Sequence, residues 1–420
     1  MLIVYNRSFS NTPIQWSPMP DPASNMMPFA DAVAVLDREV VFVSPTAETL
    51  AIRDALGRLL VGEYCSRVDL PPFDKSAMDG YAVPPGDATE LRVLETVPAG
   101  AVPTMPLSPG CATKVMTGAP VPDGTDRVVM VEKTTQTGDT VRIHTPETQS
   151  NICKRGEDVR TGDVILTGPR LAGPLEIANL AACGITQVQT APPLRVAILT
   201  TGDEIVDSAD ALSPGKIMNS NGPMLEALCQ QNGLDVVTCE IVPDQRQATI
   251  DAISTACQAA DFVLLSGGVS VGDFDFVAEA MAALGLTIHF DKVAMKPGRP
   301  MTFATSPSAA LFGLPGNPVS VYVMFHIFVL RAMRRRLGLP AEPRTIRLPL
   351  ADGHRRRKTD RLAFVPCRLT ADGTLAAVDF HGSAHLAALL EADGFFVMPQ
   401  GCATIAAGES AEFWPTGGTR

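Results

Sequence analysis

Between residues 195 and 286, short apolar runs alternate with segments of helical length, and this alternation restricts the fold more than any other feature of the chain. RVAILTTG, DVVTCEIV and DFVLLSGG each read as a buried strand, being short, apolar and rich in β-branched residues. NGPMLEALCQQNG, ATIDAISTACQAA and DFVAEAMAALG read as helices, with Asn221 as the expected N-cap of the first and Gly233 as its stop. Strands joined by helices of this length need crossovers, and crossovers give a parallel, doubly wound α/β sheet. In such sheets ligands sit beyond the carboxyl ends of the strands. TTGDE (200–204) follows the first strand and SGGVSVGD (266–273) the third, so both motifs are expected at that edge.

The flanking sequence has another rhythm. Residues 1–27, rich in Pro, Ser and Asn, read as a loose arm. SPTAETLAIRDALGRLL has helical spacing. LRVLETV, DRVVMVEK and TVRIH are short β-like runs separated by Gly and Pro, as in a small barrel or sandwich. NICKRGEDVRTGD reads as a loop, PLEIANLAACG as a helix and APPLR as a linker. After GLPAEPRT the chain returns to short strands. The resulting division is an arm at 1–27, a discontinuous linker domain at 28–62 and 151–192, a small β-rich domain at 63–150, the doubly wound domain at 193–340 and a C-terminal β-barrel-like domain at 341–420.

Lys+Arg 34 against Asp+Glu 45 leaves a net charge of −11, which argues against nucleic-acid or anionic-membrane partners. An anionic ligand must then be caught by a local arrangement rather than by the overall field. The longest apolar run, VSVYVMFHIFVL, is too short to span a bilayer and contains His326. The opening residues lack a basic stretch followed by an apolar core, so no secretory signal is expected and the chain reads as a soluble cytoplasmic protein. The 9 cysteines, odd in number and never spaced CxxC, read as reduced and mostly buried thiols.

Four motifs carry chemistry. In SGGVSVGDFDF, Gly267 and Gly268 allow close backbone approach, Ser266 and Ser270 add hydroxyls, and the following helix N-terminus favours an anion. The glycines could equally do no more than shape a strand-to-helix turn. Asp203 and Glu204 of TTGDE, Asp244 of IVPDQ, and Asp273 and Asp275 gather carboxylates at one sheet edge. Two carboxylates about 4 Å apart repel by roughly 4 kcal/mol at an effective dielectric of 20, so such a cluster calls for protons or a divalent cation. Oxygen ligands favour Mg²⁺. DKVAMKPGRP presents Lys292, Lys296 and Arg299 around a Pro-Gly turn, suited to a small oxyanion. GLPGNPVS opens a long apolar helix, with Asn317 as its expected cap and Ser320 in its first turn.

PPFDKSAMDGYAV, MTGAPVPDG and KRGEDV read as functional loops or tight packing turns. HGSAH (381–385) lacks a third zinc ligand, and HRRRK (354–358) reads as a solvated loop.

Taken together, these stretches resemble the molybdopterin molybdenumtransferase (MoeA) family, which includes the E domain of gephyrin, in order and spacing from about residue 28 onward. The resemblance implies an enzyme that inserts molybdenum from molybdate into adenylyl-molybdopterin and releases AMP in a Mg²⁺-dependent step. It implies an elongated homodimer with each site near the subunit interface, where Asp79, Thr117 and Asp158 come from the partner. It assigns Glu204, Asp244 and Asp275 as metal or catalytic carboxylates, beside the substrate turn of Gly267, Gly268 and Ser270. Lys292 and Lys296 are implied to bind the anionic substrate. Lys296, Arg299, Ser320, Arg361 and Ser383 match molybdate-binding positions, and Pro315 and Pro318 shape the adjoining turn. Molybdopterin adenylyltransferase and molybdoenzymes or their chaperones are the implied partners.

Three departures from the family pattern stand out. Cys153 stands where many relatives place an arginine, Arg299 replaces a commoner lysine, and the sequence after Ser383 is altered. A molybdopterin adenylyltransferase, a gephyrin-like scaffold and a tungstate-specific paralogue are the alternatives. Four domains argue against the first and the intact acidic and basic motifs against the second, whereas sequence does not separate two tetrahedral dianions of similar size.

Overall fold

The computed structural model describes residues 26–268 and 276–417. Contacts divide the chain into two units, Thr46–Pro192 and the combination of Met1–Pro45 with Pro193–Arg420.

The larger unit begins with helix α1 (Phe29–Glu39). Its sheet runs β1 (Arg195–Thr201), α2 (Asn221–Gln231), β2 (Asp235–Val242), α3 (Arg246–Ala259), β3 (Phe262–Ser266), α4 (Val277–Ala283) and β4 (Thr287–Lys292). β5 (Met295–Lys296), β6 (Pro300–Thr305) and β7 (Ala310–Leu314) follow, and the sheet order is β2-β1-β3-β7-β6-β4. The first four strands in that order are parallel, while β6 and β4 close one edge antiparallel. Both faces are covered around β1 and β3, which explains their uninterrupted apolar runs, whereas β2, expected to be buried, is an edge strand in which only Val242 is enclosed. Along β1, Val196 and Ile198 pack into one core with Ala32, Leu225 and Phe328, whereas Ala197 and Leu199 pack into the other with Ile253, Val277 and Met281.

The expected long helix after GLPGNPVS forms as α5 (Pro318–Met324), a π-helical stretch Phe325–Val329 and α6 (Leu330–Arg336). Asn317 occupies its N-cap position without a side-chain cap. Four further strands, β8 (Ile346–Pro349), β9 (Leu362–Leu369), β10 (Gly394–Met398) and β11 (Ser410–Pro415), form a sheet with β5 in the order β5-β9-β10-β11-β8. Its Phe364, Phe395 and Val397 join the core shared with α1 and α5.

The unit Thr46–Pro192 holds a six-stranded sheet ordered Arg127–Met130, Gly80–Val83, Cys111–Val115, Glu90–Val97, Thr140–Ile143, Thr134–Thr137. A second, four-stranded sheet and the expected helix Pro174–Ala182 pack around Leu60, Tyr64, Leu180 and Val188.

Several local expectations are overturned. SPTAETLAIRDALGRLL is not a helix: it forms strand Glu48–Ala51, a single 3-10 turn Ile52–Asp54 and strand Leu59–Leu60. Antiparallel pairing of Glu48–Ala51 with Gln187–Ala191 outweighs the helical spacing. The helix lies earlier, at α1, where Ala32 and Leu36 are fully buried and Asp37 accepts a two-pronged ion pair from Arg331 at 2.7 and 2.5 Å. Cysteines are less buried than expected, with only Cys183, Cys229 and Cys367 enclosed; burial pushes the thiols of Cys229 and Cys367 up to about 12. Among the described residues no helix is long and apolar enough to cross a membrane.

Candidate active site

At the carboxyl ends of β1, β3 and β7 the larger unit holds a cavity of about 410 Å³. Thr200, Thr201, Gly202, Glu204, Asp244, Ser266, Gly267, Gly268 and Pro315 line it, so TTGDE and the start of the glycine turn meet as the topology requires. Gly267 has φ +96°, and a Cβ there would stand 2.4 Å from the Thr201 carbonyl oxygen, so the turn tolerates only glycine. Asp203 and Asp244 brace each other: the Asp203 N–H donates to Asp244 Oδ2 (3.3 Å), and the Asp244 N–H donates to Asp203 Oδ1 (3.1 Å). Glu204 is exposed to the cavity, and among the described residues its carboxylate has no hydrogen bond or ion pair. Ser270, Asp273 and Asp275 lie outside the described residues.

Asn221 is not the N-cap expected of it. Ser220 takes that position, and Asn221 is buried with its Nδ2 donating to Ser266 Oγ and to the Gly316 carbonyl, both at 2.8 Å. Two acceptors on one side fix the amide orientation. The residue thereby ties the start of α2 to the end of β3 and to the GLPGN turn. No local signal marks this role, because the partners are 45 and 95 residues away.

A second cavity, of about 650 Å³, adjoins the first through the shared residues Pro300, Pro315 and Asn317. Lys296, Arg299, Ser320, Arg361 and Ser383 line it together, although the first and last of them are far apart in sequence. β5 places Lys296 by pairing Met295 and Lys296 with Leu362 and Ala363 of β9, and the Val319 N–H donates to the Ser383 carbonyl at 3.1 Å. The walls also carry His354, Arg355, Arg356 and His381; Arg355, Arg357, Lys358 and His381 are exposed, while His354 and Arg356 are half-buried, unlike the solvated loop expected of HRRRK as a whole. Burial, with Arg356 and Lys296 nearby, pushes the His354 imidazole below its ordinary range, leaving it neutral at pH 7.

Two sequence-predicted residues stand apart. Lys292 lines neither cavity and pairs with Asp291 at 3.5 Å, and Pro318 opens α5 without lining either.

Asp79, Thr117 and Asp158 belong to the unit Thr46–Pro192. Asp79 Oδ1 accepts from the Thr117 N–H (2.6 Å) and hydroxyl (2.7 Å), which holds its carboxyl below the usual range. Asp158 is exposed, with its N–H on the Leu70 carbonyl at 3.0 Å.

Three family models match consecutive parts of the chain: the MoeA N-terminal region (domain I and II) at 27–184, a probable molybdopterin binding domain at 197–335 and the MoeA C-terminal region (domain IV) at 349–416. A molybdopterin molybdenumtransferase of Staphylococcus aureus (strain Mu50) is 34% identical over 381 residues, covering 88% of this chain and 91% of its own. The chain belongs to the molybdopterin molybdenumtransferase (MoeA) family. It is a transferase of molybdenum cofactor biosynthesis. A Staphylococcus epidermidis molybdopterin molybdenumtransferase is likewise 34% identical, over 368 residues, covering 84% of this chain and 88% of its own. The solved structure of the molybdopterin biosynthesis MoeA protein from Pyrococcus horikoshii OT3 matches with a TM-score of 0.80 at 28% identity, covering 93% of this chain and 100% of that one.

Against the MoeA pattern, the departure at Cys153 has a local account. Neighbouring cations hold the loop: Lys154 Nζ reaches Asp74 Oδ2 at 2.8 Å, and Arg155 Nε reaches Asp69 Oδ2 at 2.6 Å. Hydrogen bonds from Thr161, joined by Arg155, bring the Asp69 carboxyl down to about 2. The Cys153 thiol is pushed up by burial and by Glu157, so it is protonated and inert at neutral pH.

Proposed function

We propose that this transferase takes adenylyl-molybdopterin and molybdate, inserts molybdenum into the dithiolene and releases AMP in a Mg²⁺-dependent step. The observation that carries this reading is the adjacency of two chemically opposite cavities, one with a glycine turn and carboxylates, the other walled by cations and hydroxyls. In the cationic cavity Lys296, Arg299 and Arg361 with the Ser320 and Ser383 hydroxyls suit a tetrahedral dianion; a guanidinium at 299 serves as well as an ammonium because it can grip an oxyanion with two N–H groups. In the other cavity the turn at Gly267 and Gly268 offers space and backbone to the adenylate phosphates.

The donor set fits Mg²⁺. Glu204 and Asp244 are both oxygen donors on one cavity, and among the described residues no group of three His, Cys, Asp or Glu forms a closed cage. Magnesium commonly takes one or two carboxylates and completes its shell with water and substrate phosphate. Bound there, it would supply positive charge to the phosphoanhydride as AMP leaves. The chain's own residues position the two substrates and neutralise their charge, and the sulfur nucleophiles belong to the substrate, consistent with no cysteine lining either cavity among the described residues.

The purified protein is expected to release AMP from adenylyl-molybdopterin only with Mg²⁺, and faster when molybdate is added. EDTA-insensitive release, or tight binding of the adenylate without release, would overturn the reading, the latter in favour of a scaffold. Tungstate in place of molybdate ranks the two metals in the same assay.

In this reading the active form is a homodimer in which a second copy supplies Asp79, Thr117 and Asp158. A molybdopterin adenylyltransferase delivers the substrate, and molybdoenzymes or their chaperones receive the product. Mixing inactive Asp79→Asn and Glu204→Gln proteins after subunit exchange is expected to restore about a quarter of wild-type activity, since half the dimers then hold one intact site. No recovery despite demonstrated exchange excludes the shared site.

A further inference from the structure

Three side chains of HRRRK line the cationic cavity, but three of the five N–H donors of Arg356 are directed to backbone carbonyls. Its Nε donates to the Cys402 carbonyl at 2.8 Å, Nη1 to the Arg361 carbonyl at 2.7 Å and Nη2 to the Pro399 carbonyl at 2.5 Å. The Arg356 N–H adds a bond to the Ala403 carbonyl at 2.9 Å. One rigid fork therefore joins the turn after β10 to the segment 356–361 that leads into β9. Arg361 stands at the end of that segment, with Nη1 on the Met295 carbonyl at 3.4 Å, and Met295 is the neighbour of Lys296 on β5.

We propose that Arg356 is a positioning residue of this enzyme, setting the backbone of Arg361 so that its guanidinium meets Lys296 in one cavity. This rests on the reading that the cavity takes the molybdate oxyanion. Arg356 acts through Arg361, so charge alone at position 356 does not replace it. A lysine there keeps the charge but cannot span three carbonyls in one plane.

The test is Arg356→Lys, assayed for the molybdate concentration giving half-maximal cofactor formation, with Lys296→Ala, Arg361→Ala and the double variant Arg356→Lys/Arg361→Ala alongside. Displacing a binding group by a fraction of an ångström is expected to raise the molybdate half-saturation about 10-fold in Arg356→Lys, more than kcat falls. In the Arg361→Ala background the same substitution is expected to add little. Wild-type molybdate dependence in Arg356→Lys, with Lys296→Ala still impaired, overturns the positioning role. So do additive effects in the double variant. Unchanged dependence in both Arg356→Lys and Lys296→Ala instead overturns the placement of molybdate in this cavity. If Arg356→Lys does not give a cooperative thermal melt, Arg356→Gln, whose amide can still donate to two of the carbonyls, replaces it under the same criteria.

Discussion

Glu204→Gln is expected to lower kcat by about 10²–10³-fold, the usual cost of removing one charge-bearing group aimed at a reacting centre. The side chain is exposed at the carboxyl end of β1, and no described residue engages its carboxylate, so the charge has no structural duty there. Glutamine keeps the volume and removes the negative charge. Thermal unfolding is accordingly expected to stay within about 0.5 kcal/mol of wild type. Rates measured across a Mg²⁺ titration separate the two uses of the group. A loss relieved by excess Mg²⁺ marks Glu204 as a metal ligand, and a loss indifferent to Mg²⁺ marks it as acting on substrate. Wild-type turnover at all Mg²⁺ concentrations would remove it from the site.

Lys296→Ala is expected to raise the molybdate half-saturation by about 10–100-fold, from the loss of one charge-assisted hydrogen bond of roughly 1.5–3 kcal/mol. Lys296 is exposed on the two-residue strand β5, and its backbone pairing with Ala363 survives the change. The pterin substrate is expected to bind as before, since its proposed phosphate and metal contacts lie in the other cavity. Titrating each substrate with the other saturating reads the two effects separately. An unchanged molybdate curve would move the oxyanion elsewhere.

The doubly wound core was legible because its evidence is local. β1 and β3 are short runs with both faces buried, the intervening helices repeat at helical spacing, and the edge holding Glu204 and Gly267 follows from the crossover rule. The motifs that carry the family resemblance are local too. Where local spacing competed with long-range pairing it misled: residues 48–51 took a strand because residues 187–191 were there to pair with them. Reading HRRRK by solvation alone missed Arg356 for the same reason, since the carbonyls that hold it come from residues 361, 399 and 402.

The sequence by itself determined the alternation that makes the sheet, the glycines that its turn requires, the side-chain types available for an oxyanion and a divalent cation, and the family. Only the tertiary structure decided which of those side chains share a cavity. It brought Lys296, Arg299, Ser320, Arg361 and Ser383 into one cavity, left Lys292 outside it, and turned Asn221 from an expected cap into a buried tie. The physical reason is that hydrogen bonds and packing act over a few ångströms of space, and pairing such as that of β5 with β9 joins segments whose separation in sequence gives no periodic sign of their meeting.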